Sequence, residues 1–471
     1  SRGAIAAAAL GVAAAAALGV WRRRLARRRH VVVACVVGAV LVCAAGVVAW
    51  GVRRDGLPTK TMTFRWYYWT AGARIARDRP LFGVGPANFD SAYTRYRRVE
   101  GEEAVKLPHN AAVHAAATCG ILGGLAYLAV LGGALVSLAR PAPRGESTRP
   151  SPSVRLGDIA GAAAGLAAAV LLARAAFTHA GASGALLVIE ALGPAAVLGG
   201  AVLLAGWTAG RDLEAVADAA PVRIALGCAV AAFALHNMVS FSLWTPGAAM
   251  IFWAATGALL GRTASRSWRM DGLARPKAVA AAGALVAAVV LLWLPVWRRA
   301  ARTEAVAEAL LAGQAAPAAR HAVRAAEADP LDPVAAGDAA RALLATGHCA
   351  TALDYADKAC ARDRQDASWY HLAASVARRC ARRGDAPPDR NLLARAADSM
   401  RQAVRRDPQD ASLRLEYARL LADLARWDAC AAQLEQAERI DAVRRRMDSG
   451  FRLTPAQREE LQELRRRVER R

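Results

Sequence analysis

No two of the eight cysteines form a Cys-x-x-Cys pair, which argues against a zinc site and against a disulfide-dense scaffold. No charged n-region precedes the first apolar run, and the chain opens on Ser1-Arg2-Gly3. The opening is therefore read as a segment of a longer protein rather than a signal peptide. Gly83-Val84-Gly85 lacks a third glycine and a preceding strand, so a dinucleotide-binding turn is excluded. Acidic side chains are few, 39 against 62 Lys+Arg, for a net charge of +23. The basic residues are nearly all Arg in an Ala/Arg-rich chain, as a GC-rich genome produces, and nucleic acid is not expected as a partner.

What the chain has is an apolar fraction of 55% beside that charge, a combination that fits parts living in different solvents. A span needs about 20 apolar residues. Eight segments qualify: 3–20, 31–52, 111–138, 156–173, 184–207, 222–239, 246–261 and 278–297. The short loops 21–30, 139–155, 208–223 and 262–277 hold 17 Lys/Arg, against one in 174–183 and 239–246. That asymmetry puts the basic loops in the cytoplasm. Residues 53–108 and the tail after 298 then face outward. The expected organisation is a polytopic membrane domain at 1–297 and an α-solenoid at 298–471, all-α throughout.

The outward segment 53–108 holds 11 Lys/Arg, suited to an anionic substrate. Phe64-Arg65-Trp66-Tyr67-Tyr68-Trp69 opens a predicted helix through Arg77, with rings suited to headgroup depth. Pro80 ends it, and Gly83 and Gly85 allow a tight turn. Pro108-His109-Asn110 leads into the next span, which Asn110 can cap. His109 then sits at the outer mouth of the bundle, where an imidazole can take a proton from a sugar hydroxyl near neutral pH.

Together, Ser1-Arg2-Gly3, Arg65…Trp69, Pro80-Leu81-Phe82-Gly83-Val84-Gly85, Asn88-Phe89, His109-Asn110 and Gly120-Ile121-Leu122-Gly123 resemble the Wzy/WaaL O-antigen ligase and polymerase family over about residues 1–260. His236-Asn237…Ser240-Phe241…Pro246 is similar to a later element of that family, with Ser240 where an Asp is usual. The resemblance implies a bundle of the lipid-linked glycosyltransferase (GT-C-like) kind, with further spans preceding this chain. It implies transfer of glycan from an undecaprenyl-diphosphate carrier to a polysaccharide or lipid acceptor, at the outer face of a bacterial inner membrane. No metal and no cofactor are expected.

In that reading His109 activates the acceptor hydroxyl, and Arg2 and Arg65 hold the developing diphosphate charge. Asn110, Arg97 and Arg98 are expected on the substrate side. Arg174, His179 and Glu190, in or beside two spans where ionisable groups are costly, join them. The alternatives are a non-catalytic scaffold presenting the tail to a polysaccharide assembly complex, which needs none of these residues, and a solute transporter, which would lean on Glu190.

After residue 298 the period changes. Asp329, Asp363, Asp407 and Asp441 are spaced 34, 44 and 34 residues apart. Ala325, Ala359, Ala403 and Ala437 recur in step, as do Ala318, Ala352, Ala396 and Cys430. This resembles tetratricopeptide repeats, with the extra ten residues around Arg379–Arg390 and a capping box at Thr454-x-x-Gln457. Such an array is expected to bind a protein partner. A disulfide among Cys349, Cys360 and Cys380 is compatible with an outward tail.

Overall fold

The structure is a computed structural model. It describes residues 29–101, 105–139, 220–240, 246–261, 298–299, 302–383, 387–447 and 449–471, with residues 9, 11, 13 and 14. The expected spans 156–173, 184–207 and 278–297, and nearly all of 3–20, lie outside the described residues, as do Arg2, Arg174, His179 and Glu190. Every described element is a helix, as expected.

The chain divides into two compact units. The first is Ser1–Pro86 with Leu107–Arg269, and the second is Ala87–Lys106 with Met270–Arg471. Segment 87–106 was expected to lie with the membrane part, and it groups with the tail instead.

In the first unit, α1 spans Arg29–Arg54, α2 Lys60–Asp78, α4 Ala111–Ala139, α5 Ala220–His236 and α6 Pro246–Gly261. Among the described residues, one stretch, Ala111–Gly133 of α4, is long and apolar enough to cross a membrane. At 1.5 Å per residue, the 26 residues of α1 extend about 39 Å, and Val42, Val48 and Val52 on it are exposed. α4, α5 and α6 meet around Tyr127, Leu131, Val230, Phe252 and Leu259.

In the second unit, α3 is Phe89–Tyr96 and residues 302–311 are helical. There follow α7 (Ala315–Ala328), α8 (Pro333–Ala345), α9 (Cys349–Arg362), α10 (Ala367–Ala381), α11 (Arg390–Arg406), α12 (Ala411–Asp423), α13 (Trp427–Arg446) and α14 (Pro455–Glu469). The helices pair as α8/α9, α10/α11 and α12/α13, with a first, shorter pair before them. Each pair hides its apolar face only by stacking on its neighbours.

The small residues predicted to let helices approach do so. Ala318, Ala352, Ala396, Cys430, Ala359, Ala403 and Ala437 are fully buried, and Ala325 nearly so. Asp332, Asp366, Asp389 and Asp410 each accept amide hydrogens at the start of α8, α10, α11 and α12, a cap worth about 1 kcal/mol apiece. α14 begins with the predicted capping box of Thr454 and Gln457.

His371 of α10 and Glu416 of α12 join adjacent repeats, Nε2 to Oε2 3.0 Å. The hydrogen bond that His371 donates to Glu416 raises the His371 pKa above its ordinary 6.5, against burial and Arg378. Burial alone would raise Glu416, but His371, Arg419 and Arg378 hold it below its ordinary 4.5. The histidine's share of stability is complete below pH 6.5 and fades as pH rises through its raised value. The glutamate's share is complete above pH 4.5 and fades as pH falls through its lowered value. His371→Ala should therefore cost most near pH 5–6, up to about 1 kcal/mol for so exposed a pair. As pH rises through the raised His371 value the cost should fade, as read by hydrogen exchange of α10 and α12 in the full chain.

Cys349 and Cys380 are disulfide-bonded, with Cα atoms 5.7 Å apart and a sequence separation of 31. Cys360 stays a thiol, pushed up to about 12 by burial and by Asp357. Closing a loop of 31 residues stabilises by about 3–4 kcal/mol in the chain-entropy account. Cys349→Ser should destabilise the repeat unit by that order, read as a lower thermal midpoint, and dithiothreitol should bring the wild type down to match it. An equal midpoint with and without reductant would contradict this.

Candidate active site

The loop before α2 is pinned by one threonine. Thr63 Oγ1 donates to the Leu57 carbonyl at 2.7 Å and accepts the Leu57 amide at 3.0 Å. Thr59 caps α2 through the Met62 amide, 3.3 Å. α2 then packs Trp66 onto α1 at Gly51, where a Cβ would fall 2.7 Å from the indole. The absent side chain is what admits the ring.

Arg65, Tyr68 and Trp69 are three and four residues apart and therefore neighbours on α2. Arg65 Nη1 lies 3.7 Å from Met62 Sδ, and the residue is partly exposed. The Trp69 indole Nε1 is buried with no hydrogen-bond partner among the described residues. Tyr68 is buried, and its ring centroid lies 6.0 Å from that of His109.

The glycine motifs form a backbone clasp. Gly83 and Gly85 have φ of 62° and 91°, as the predicted tight turn needs. The turn lies on α4, which is itself broken at Gly120 (φ 77°, ψ 176°). The Val84 amide donates to the Ala117 carbonyl at 2.9 Å, the Gly85 amide to Thr118 at 2.9 Å and the Ile121 amide to Pro80 at 2.8 Å. The break frees α4 carbonyls that the turn then satisfies. A Cβ on Gly83 would collide with the Ala117 and Thr118 backbone, and one on Gly120 with Leu81 and Pro80. The two sequence motifs are thus two halves of one contact.

His109 adopts φ 53°, a left-handed conformation for a non-glycine residue. That costs about 1–2 kcal/mol and persists where surrounding structure fixes it, a pattern concentrated at functional sites. Asn110 Oδ1 accepts the Val113 amide at 3.0 Å, the predicted cap of α4. The next amide, Ala111, donates to the Asn237 carbonyl at 2.9 Å, and the Asn237 side chain donates to Phe233 O at 2.8 Å. The His236-Asn237 element therefore meets the start of α4.

Of the predicted site residues, the structure thus brings His109 to Tyr68 of α2 and puts Asn110 at the start of α4, beside the His236-Asn237 element; Tyr68 and His236 were not among the predicted site residues. His236 stood inside a quoted motif, so its signal was there. Tyr68 was one aromatic among several. Two predicted substrate contacts fall elsewhere, in the second unit. Arg98 is partly exposed, with Nε 3.5 Å from Glu100. Arg97, expected to face anionic glycan, has a side chain only 3% exposed and pairs with Asp407 at 2.7 Å. A buried guanidinium bound to a carboxylate cannot steer a substrate, and that assignment is corrected.

Among the described residues the chain is all-helical, with one helix long and apolar enough to cross a membrane in the first unit and a repeat array in the second. Residues 1–128 match the family model of the Wzy_C domain, described as O-antigen ligase; the chain carries that segment. The His236…Pro246 element lies beyond the matched residues. No curated protein matches the chain. Among solved structures it is similar to the crystal structure of MamA protein at 14% identity, covering 31% of this chain and 74% of that one, with a TM-score of 0.27. It is also similar to a thermophilic TPR protein of Thermus thermophilus at 24% identity, covering 35% and 80%, with a TM-score of 0.27.

Proposed function

We propose that this protein transfers glycan from an undecaprenyl-diphosphate carrier to a polysaccharide or lipid acceptor at the outer face of the inner membrane, as an O-antigen-type ligase or polymerase. The observation that carries this is the left-handed His109, set against Tyr68 of α2 within the O-antigen ligase segment.

His109 takes the proton from the acceptor hydroxyl as that oxygen attacks the anomeric carbon. The bond from that carbon to the diphosphate breaks, and lipid diphosphate leaves. Arg65 stabilises the growing charge on the leaving group, with Arg2 assigned the same work. Asn110 fixes the turn that aims His109, and Arg174, His179 and Glu190 complete the substrate-side set. The Cys349–Cys380 bond supports an outward tail, because such bonds persist in oxidising compartments. The basic-loop asymmetry supports the multi-pass topology.

The test uses cells carrying the full-length gene. Deletion, His109→Ala and Arg65→Ala should each accumulate lipid-linked glycan and lose the finished polymer. The missing product names the acceptor. If deletion shows the defect and His109→Ala does not, the protein is a scaffold or the base is misassigned.

A further inference from the structure

Helices α10 and α12 meet along a row of polar side chains. On α10 and its C-terminal cap, His371, Ser375, Arg378 and Arg382 follow one another at three or four residues and line one stripe. Glu416, Arg419 and Asp423 do the same on α12. Two bridges set the stripes in register. His371 Nε2 lies 3.0 Å from Glu416 Oε2, and Arg382 Nη2 lies 2.5 Å from Asp423 Oδ2. Arg419, between the two acids, reaches the other way and grips Glu460 of α14 with Nε and Nη2.

Every charge in the row therefore has a partner except one. Arg378 lies between the two bridges, half-buried, and makes no hydrogen bond or ion pair among the described residues. Ser375, one turn before it and also half-buried, has none for its hydroxyl. A helical serine often returns that hydroxyl to the carbonyl four residues back; this one does not. Burial, then Arg419 and Arg382, hold the Arg378 pKa below its ordinary value, against Glu416 and Asp423. A guanidinium carries five donors and no acceptor. Keeping one half out of water beside two like charges is costly unless an anion meets it.

We propose that the face shared by α10 and α12 docks an acidic segment of a partner protein, with Arg378 and the Ser375 hydroxyl taking one of its carboxylates. The filled rungs show the chemistry. Glu416, Asp423 and Glu460 each bring a carboxylate from an adjoining helix to a cation of the row. The planar fork of Arg378 can engage both oxygens of such a group, and the serine adds a third hydrogen bond. The assignment stands whether or not His109 is the base.

The experiment uses the purified full-length protein in nanodiscs of neutral phosphatidylcholine, with fluorescein-labelled hexaglutamate as probe and anisotropy as readout. Unlabelled hexaglutamate should displace the probe, and hexaglutamine should not. Arg378→Gln should weaken binding about 10-fold or more, and Ser375→Ala about fivefold. Arg379→Gln removes the same charge from an exposed neighbour and should change binding less than about threefold. Because Arg378 sits among cations, Arg378→Gln should leave the thermal midpoint of the repeat unit unchanged or raise it. No binding to the wild type overturns the proposal. Equal losses in Arg378→Gln and Arg379→Gln mean diffuse charge attraction and overturn the site. Displacement by inorganic phosphate at the concentration at which hexaglutamate displaces overturns the peptide as occupant. A lowered midpoint in Arg378→Gln assigns the residue to the fold instead.

Discussion

His109→Ala is expected to lower glycan transfer by about 10²–10⁴-fold, the span typical of removing a positioned general base, with protein abundance unchanged. The residue is partly exposed, so truncation leaves no large cavity. Its backbone at φ 53° suits alanine somewhat less than histidine or asparagine, a small cost that His109→Asn avoids. The loss therefore falls on chemistry, not folding. Activity measured on membranes as initial rate against acceptor concentration should drop in kcat with little change in KM, because proton transfer is made only in the transition state. His109→Asn, which keeps the side chain's size and a polar tip but no base, should behave like alanine. A variant rate within threefold of wild type would remove His109 from the mechanism.

Gly120→Ala is expected to unmake the clasp between α4 and the Gly83 turn. The left-handed backbone at Gly120 (φ 77°) costs an alanine about 1–2 kcal/mol. The added Cβ runs into the Leu81 and Pro80 carbonyl region, which is backbone and cannot rotate away. Overpacking of that kind adds about 1–3 kcal/mol, a large share of the roughly 5–15 kcal/mol that holds a domain together. Gly132→Ala, on the same helix with open space at its Cβ, is the control and should be neutral. Protease nicking between Pro80 and Pro86 in isolated membranes reads the difference. Equal resistance in both variants would mean the clasp contributes little.

Much of the repeat unit was legible because its physics is periodic. One small residue per helix, repeated at a fixed interval, is a packing statement that survives without coordinates, and Ala352, Ala396 and Cys430 are buried where the period puts them. The capping box at Thr454 is equally local. What the period hid was the difference between its members. Asp407 reads like Asp329 and Asp363 until its partner is found 310 residues away, and nothing in a local window marks Arg97 as that partner. The same blindness placed segment 87–106 with the membrane part.

In the site, types and order were readable while conformation was not. Gly83, Gly85, His109, Asn110 and Gly120 were all singled out. The sequence did not say that Gly120 breaks its helix, nor that Gly83 fits against that break. Asn237 sits at the start of α4 through a backbone carbonyl, a contact that any residue type can make and that leaves no compositional trace.

The most direct measurement of the account follows the carrier itself. Membranes holding the full-length protein are given radiolabelled undecaprenyl-diphosphate-linked glycan and acceptor, and free undecaprenyl diphosphate is counted against time. The account predicts release in step with acceptor growth in the wild type, and release near background in His109→Ala. Acceptor-independent release, or equal release by both proteins, would contradict it.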